Sequence, residues 1–262
     1  MHALELGEIH IHFRDEGDRD GPAVVFGNSL GTDMRLWNLL VPLLPKGLRL
    51  VRFDKRGHGL SSCPPGPYSM GSLVTDTERL MDHLAIKNCV FVGLSIGGMI
   101  AQGLAKKRPD LLKAMVLSNT AAKIATAEIW QQRIDTVLSK GIPAMSDVVL
   151  ERWFTAAYRA TDDFTIWRNM LERTPVEGYA GCAAAIKGTD FLAPTATLRL
   201  PTLAIAGSED GATPPDLVRE TADLVPDSKF HLIKQAGHLP CVEAPDEYAR
   251  VLTDFLREVG HV

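Results

Sequence analysis

The chain has 262 residues, of which 45% are hydrophobic and 23% charged, and a formal net charge of −4. That length can bury a substantial core, and the mild acidity excludes a basic footprint for nucleic acid or an anionic membrane. No apolar run approaches the length that spans a bilayer.

Met1-His2-Ala3-Leu4-Glu5 opens with no basic segment ahead of an apolar one, so no secretory signal is expected. Cys63, Cys89, Cys182 and Cys241 fall at no metal-ligand or C-x-x-C spacing, which predicts free, buried thiols in a reducing compartment. A cytoplasmic protein is expected.

Ile9, Ile11 and Phe13 alternate with His10, His12 and Arg14, the period of a half-buried strand. No acidic third ligand lies nearby, so the two imidazoles read as a solvated strand face and not a metal pair. Apolar runs with little alternation follow at 23–26, 48–53, 89–92, 115–117, 203–206 and 230–233. Strands apolar on both faces belong to a sheet covered by helices on each side. Helical spacing separates several of them, as at Leu73, Leu80, Met81 and Leu84, or Leu217, Val218 and Leu224. Lys106-Lys107-Arg108 sits where a helix would end and suits its dipole. Pro245 opens a closing amphipathic helix through Tyr248, Leu252, Phe255 and Leu256. Alternating strand and helix predicts an α/β fold with a mostly parallel central sheet flanked by helices.

That rhythm breaks at 122–189, which holds helical periodicity, three of the four tryptophans and no convincing strand. A strand is expected to resume between Pro194 and Pro201. The expected organisation is a core of residues 1–121 and 190–262 with a helical lid at 122–189.

Gly93-Leu94-Ser95-Ile96-Gly97 is a G-x-S-x-G between an apolar strand and a helix starting near Ile96. A sharp strand-to-helix turn lifts the serine hydroxyl from the sheet, and its neighbours two residues away must be small. The turn also leaves the Ile96 amide unbonded at a helix N-terminus, where negative charge would form. A serine needs a base. His238 follows the run at 230–233, on a loop at the carboxyl edge of the sheet. Asp210 follows 203–206 in the same way and supplies the acid that orients the imidazole. The neighbouring Glu209 is the alternative acid, whereas Ser118-Asn119-Thr120 offers no carboxylate. The loop Gly27-Asn28-Ser29-Leu30-Gly31 after the first core strand should give the second oxyanion donor, the Leu30 amide. The D-x-R-G-x-G turn at 54–59 reads as a structural element shaping the pocket floor.

Taken together, the G-x-S-x-G, the turn at 54–59, Gly207-Ser208-Glu209-Asp210 and Gly237-His238 resemble the α/β-hydrolase superfamily over nearly the whole chain. A narrower likeness rests on Asn28-Ser29-Leu30-Gly31-Thr32-Asp33 and on lid segments such as Trp130-Gln131-Gln132-Arg133, Arg152-Trp153-Phe154-Thr155 and Gly178-Tyr179-Ala180-Gly181-Cys182. These are similar to 3-oxoadipate enol-lactonases. Lys55 departs from the small or hydroxyl residue expected at its position.

The resemblance implies an α/β-hydrolase fold and hydrolysis of 3-oxoadipate enol-lactone to 3-oxoadipate in aromatic catabolism, through Ser95, His238 and Asp210, with no metal or organic cofactor. The substrate is a small carboxylate-bearing lactone, and no nucleic-acid or membrane partner is expected. Its carboxylate calls for a cation in an apolar pocket. Arg133, on one helix face with Trp130, is the first candidate and Arg152 the second, with Trp153 and Ser29 lining the site. Surface salt bridges are the competing reading of both arginines. Other functions open to the same triad are a general carboxylesterase, a perhydrolase or a carbon–carbon bond hydrolase, because the pocket sets the reaction on this scaffold. A hydrolase-like receptor for a small lactone is the alternative from another class.

Overall fold

A computed structural model describes residues 2–262, so Met1 of the opening segment lies outside the described residues. The strands are β1 (His2–Leu6), β2 (Ile9–Gly17), β3 (Ala23–Gly27), β4 (Arg49–Phe53), β5 (Cys89–Leu94), β6 (Leu112–Ser118), β7 (Thr202–Gly207) and β8 (Lys229–Ile233). They form one sheet in the order β1-β2-β4-β3-β5-β6-β7-β8. The pairs β1–β2 and β2–β4 are antiparallel, and every later pair is parallel. The six apolar runs are thus the six parallel strands. β1, which no apolar run signals, is an edge strand whose side chains are exposed or only partly buried.

Helices cover the sheet. α1 (Met70–His83) begins at Ser69, whose hydroxyl accepts the Ser72 amide in a reciprocal capping box. α2 (Ile96–Lys107) packs on β3, β5 and β6. Its terminal Lys107 and Arg108 pair with Glu78 and Asp82 near the end of α1.

Between β6 and β7 the described residues are helices and loops: α3 (Ala127–Lys140), α4 (Ser146–Trp153), α5 (Ala156–Arg159), α6 (Phe164–Glu172), α7 (Val176–Lys187) and α8 (Leu192–Thr195). The two ends of this insertion meet, since the Phe191 amide donates to the Ala122 carbonyl at 2.9 Å and Lys123 pairs with Asp190 at 2.9 Å. α9 (Pro215–Asp223), α10 (Pro240–Glu243) and α11 (Pro245–Glu258) complete the chain.

Three expectations need correction. The strand expected between Pro194 and Pro201 begins at Thr202, and Pro194 lies inside α8. Pro201 has no amide to donate and only accepts, from Met115 at 3.0 Å. His12 is buried, with Nδ1 2.7 Å from Asp54 Oδ2, while His10 alone is exposed. β2 is covered at that point by the turn at 54–62, which bonds back to it through Ser61 and Ser62. The four cysteines are free, but Cys63 is exposed on a loop.

Candidate active site

Ser95 sits between β5 and α2 with φ 58° and ψ −120°, a backbone conformation that costs roughly 1–3 kcal/mol for a residue with a side chain. The strain is held from both sides. The Ser95 amide donates to the Ser118 carbonyl at 3.0 Å, and its carbonyl accepts from the Gly98 amide at 2.8 Å and the Thr120 hydroxyl at 2.6 Å. A Cβ on Gly97 would collide with the Gly27 carbonyl, and one on Gly93 with the Gly97 carbonyl. The two glycines therefore let α2 close onto β3.

Because β3, β5, β6, β7 and β8 run parallel, their carboxyl ends lie along one edge of the sheet. Ser29, Ser95, Asn119, Asp210 and His238 all follow those ends. His238 Nδ1 lies 2.9 Å from Asp210 Oδ2. With Nδ1 donating to that carboxylate, Nε2 carries the lone pair of a base. Asn119 Nδ2 and the Thr213 hydroxyl both donate to the same Oδ2 at 2.8 Å, and the amides of Ala212 and Thr213 donate to Oδ1 at 2.7 and 2.9 Å. Burial pushes the Asp210 pKa upward, but the facing imidazole and these donors outweigh it and hold the carboxylate below its usual value. Glu209, the alternative acid, is exposed.

Ser95, Asp210 and His238 are 7%, 4% and 1% exposed. Among the described residues the Ser95 hydroxyl makes no hydrogen bond to His238. The Nε2 atom instead lies 3.4 Å from Ser29 Oγ. Cavities of about 370–620 Å³ open elsewhere among the described residues, with linings that do not include Ser95, Asp210 or His238.

The Leu30 and Ile96 amides find no acceptor among the described residues, whereas the Gly31 amide between the same loops donates to His58 Nε2 at 2.9 Å. The turn at 54–59 is organised by Asp54, which accepts from His12, the Met34 amide and the Leu60 amide. Arg56 pairs with Asp76 of α1 through two bonds of 2.6 Å.

Trp153 is buried at the end of α4, with its ring 6.5 Å from the His238 ring at 25°. Its indole tip, Tyr179 of α7 and Leu171 of α6 all face Gly31. Arg133 stacks on Trp130 at 4.9 Å and also meets the Tyr179 phenol, so it stands one side chain away from the oxyanion loop. Burial raises the Tyr179 pKa, and Arg133 opposes the rise. Arg152 is exposed and lies over Gly211, whose amide donates to the Arg152 carbonyl at 3.1 Å.

Four contributors escape the sequence reading. Asn119 carries no carboxylate, yet it is a ligand of Asp210. Thr213 stands three residues after Asp210 ahead of a proline-led helix, a side-chain turn pattern that could have revealed it. Glu243 accepts from the Gly237 amide at 2.6 Å and from the Thr155 amide and hydroxyl at 3.0 and 2.7 Å. Lys55 lies buried beneath the loop after β3, where it donates to the Ser29 carbonyl. Lys55 was marked only by its departure from the expected residue, and nothing local marks Glu243, whose bond to Thr155 spans 88 residues.

A serine on a strained elbow, a buried His–Asp pair and two amides without an acceptor among the described residues thus lie along one sheet edge. The chain belongs to the alpha/beta hydrolase fold family, whose model matches residues 22–245. It is 31% identical over 247 residues to 3-oxoadipate enol-lactonase 2 of Acinetobacter baylyi, covering 94% of this chain and 92% of that one. The structure matches the crystal structure of the enol-lactonase from Burkholderia xenovorans with a TM-score of 0.94 and 35% identity, covering 97% of this chain and 99% of that one. It also matches a thermophilic esterase from Thermogutta terrifontis, solved with malate bound, with a TM-score of 0.90, 28% identity, and coverage of 97% and 95%.

Proposed function

We propose that this hydrolase opens 3-oxoadipate enol-lactone to 3-oxoadipate through an acyl-enzyme on Ser95. The observation that carries the chemistry is the His238–Asp210 bond of 2.9 Å beside a serine held at φ 58°. His238 Nε2 takes the proton as Ser95 Oγ attacks the lactone carbonyl, and the amides of Leu30 and Ile96 receive the oxyanion. The ring C–O bond then breaks. The enolate oxygen leaves with the proton from His238, and the enol tautomerises to the ketone. Water, deprotonated by His238, attacks the acyl carbon and restores the serine.

The substrate assignment is supported by the similarity to enol-lactonases and by Arg133 beside Tyr179. A free carboxylate on the lactone needs such a guanidinium to offset its desolvation. We read residues 122–189 as a lid on the core, joined where Ala122 bonds Phe191. With Ser95 only 7% exposed, the lid must part from the core to admit substrate. Trp153 lines the substrate side, and Ser29 Oγ is placed to contact either substrate or imidazole.

The test follows the loss of ultraviolet absorbance of enzymatically generated enol-lactone, with a nitrophenyl ester as control. Fast loss with wild type and near-background rates with Ser95→Ala are expected. Good ester turnover with an untouched lactone would instead identify a general carboxylesterase.

A further inference from the structure

Ser29 and Leu30 share one trans peptide, whose C=O and N–H are rigidly coupled and point in opposite directions. Fixing the Ser29 oxygen therefore fixes the aim of the Leu30 amide. Three donors converge on that oxygen: the Lys55 ammonium at 2.6 Å, the Thr32 hydroxyl at 3.0 Å and the Thr32 amide at 3.2 Å. The ammonium also donates to the Thr32 carbonyl at 3.1 Å, so it bridges both ends of the loop. Lys55 is 3% exposed and makes no ion pair among the described residues. An unpaired buried ammonium is costly to a fold. Here its hydrogen bonds go to the main chain of the oxyanion loop.

We propose that Lys55 is a positioning residue of the oxyanion hole, its ammonium turning and polarising the Ser29–Leu30 peptide so that the Leu30 N–H faces the reacting carbonyl. This rests on the acyl-enzyme reading above. A charged donor on the carbonyl strengthens the hydrogen bond given by the N–H of the same peptide. His58 completes the device, because its Nε2 accepts the Gly31 amide and takes that donor out of competition with the unbonded Leu30 amide. Burial and the neighbouring Lys55 hold the His58 pKa well below its usual value, which keeps that nitrogen an acceptor.

The device has a pH range. The groups facing Lys55 are His58 of its own turn, Cys182 of α7, Asp54 and Asp33. Asp33 is paired with Arg35, Asp54 with His12, and the adjoining Arg56 with Asp76. Burial lowers the Lys55 pKa to about 8, against the opposing pull of Cys182, Asp54 and Asp33. Above that pH the ammonium becomes a neutral amine and its hold on the peptide weakens.

The experiment is the second-order rate of Ser95 phosphonylation by a fluorophosphonate from pH 6 to 10, whose P=O oxygen occupies the same oxyanion hole. Wild type, Lys55→Gln and Lys55→Met are compared, with circular dichroism and Tm at each pH. The wild-type rate is expected to fall above about pH 8. Lys55→Gln should lower the plateau roughly ten- to hundredfold and lose the alkaline fall, which a purely structural role would leave in place. A wild-type rate that stays level to pH 10 removes the pH range, and a plateau in Lys55→Gln or Lys55→Met equal to that of wild type overturns the proposal. So does an alkaline fall retained in Lys55→Gln. No labelling of Ser95 at any pH overturns it together with the nucleophile assignment. The readout uses no lactone, so an inert lactone with the fall intact would sink only the substrate reading.

Discussion

The main-chain carbonyl of Trp153 accepts the amide hydrogen of His238 at 2.8 Å. A helix between β6 and β7 is thereby bonded to His238, the proposed base, and the indole and imidazole rings stack 6.5 Å apart. Trp153→Ala keeps the backbone bond and removes the ring. We expect a loss of about 3 kcal/mol in stability, as for other large buried aromatics, and a rise in KM that exceeds the fall in kcat. Urea unfolding and steady-state kinetics on the lactone check both.

Glu243 makes another tie between insertion and core, joining Gly237 to Thr155 through one carboxylate. In Glu243→Gln one acceptor oxygen becomes an amide NH2 set against an N–H or O–H donor. The expected result is a fall in kcat of roughly tenfold through displacement of His238, with KM changed less. Side-by-side measurement of kcat and KM with the lactone decides it.

Asp210 is fixed by donors from three elements, and its pKa is held below the usual value of 3.8. Its sign in acid follows. The paired carboxylate contributes stability above the unfolded pKa, and that contribution is lost as pH falls through the lower folded value. Asp210→Asn should cut kcat by about 10⁴ and leave a chain less sensitive to acid below the usual carboxylate value of 3.8. Asn119→Ala, which leaves two side-chain donors on Oδ2, should cost kcat roughly tenfold. Paired pH–rate and thermal-melt series test all three expectations.

Arg133 and Arg152 were equal in type and near in chain position, and burial separates them. Arg133→Ala should raise KM for the carboxylate-bearing lactone by roughly ten- to hundredfold while leaving a neutral ester unaffected. Arg152→Ala, at an exposed position, should change either KM by less than about twofold.

Lys55 gives a stability prediction opposite in sign to its effect on rate. Its folded pKa of about 8 lies below the ordinary 10.5. Between those values the unfolded chain binds more protons, so this group's contribution to stability rises with pH. Wild type should gain on Lys55→Met by up to about 3 kcal/mol across that window, read as the shift of its urea midpoint relative to the variant's.

What was legible in the chain follows from how local each signal is. The parallel strands announced themselves because burial on both faces leaves unbroken apolar runs, as at β5. Ser95 was legible because its steric demand falls on Gly93 and Gly97, two residues away. β1 stayed hidden, since an edge strand buries too little to pattern its sequence. His12 was misjudged because alternation within β2 cannot reveal the turn that covers it. Asn119 through Asp210, Glu243 through Thr155 and Lys55 through Ser29 act on partners far along the chain, and only the closed sheet edge brings them together.

The central claim is that Ser95, and not the Ser29 hydroxyl 3.4 Å from His238 Nε2, becomes acylated. Rapid acid quench of the enzyme with nitrophenyl acetate, followed by peptide mapping by mass spectrometry, measures this directly. One acetyl group on the peptide containing Ser95, absent from Ser95→Ala, is the predicted result. An acetyl group on Ser29, or release of nitrophenol with no acylated serine, would show that Ser95 is not the nucleophile.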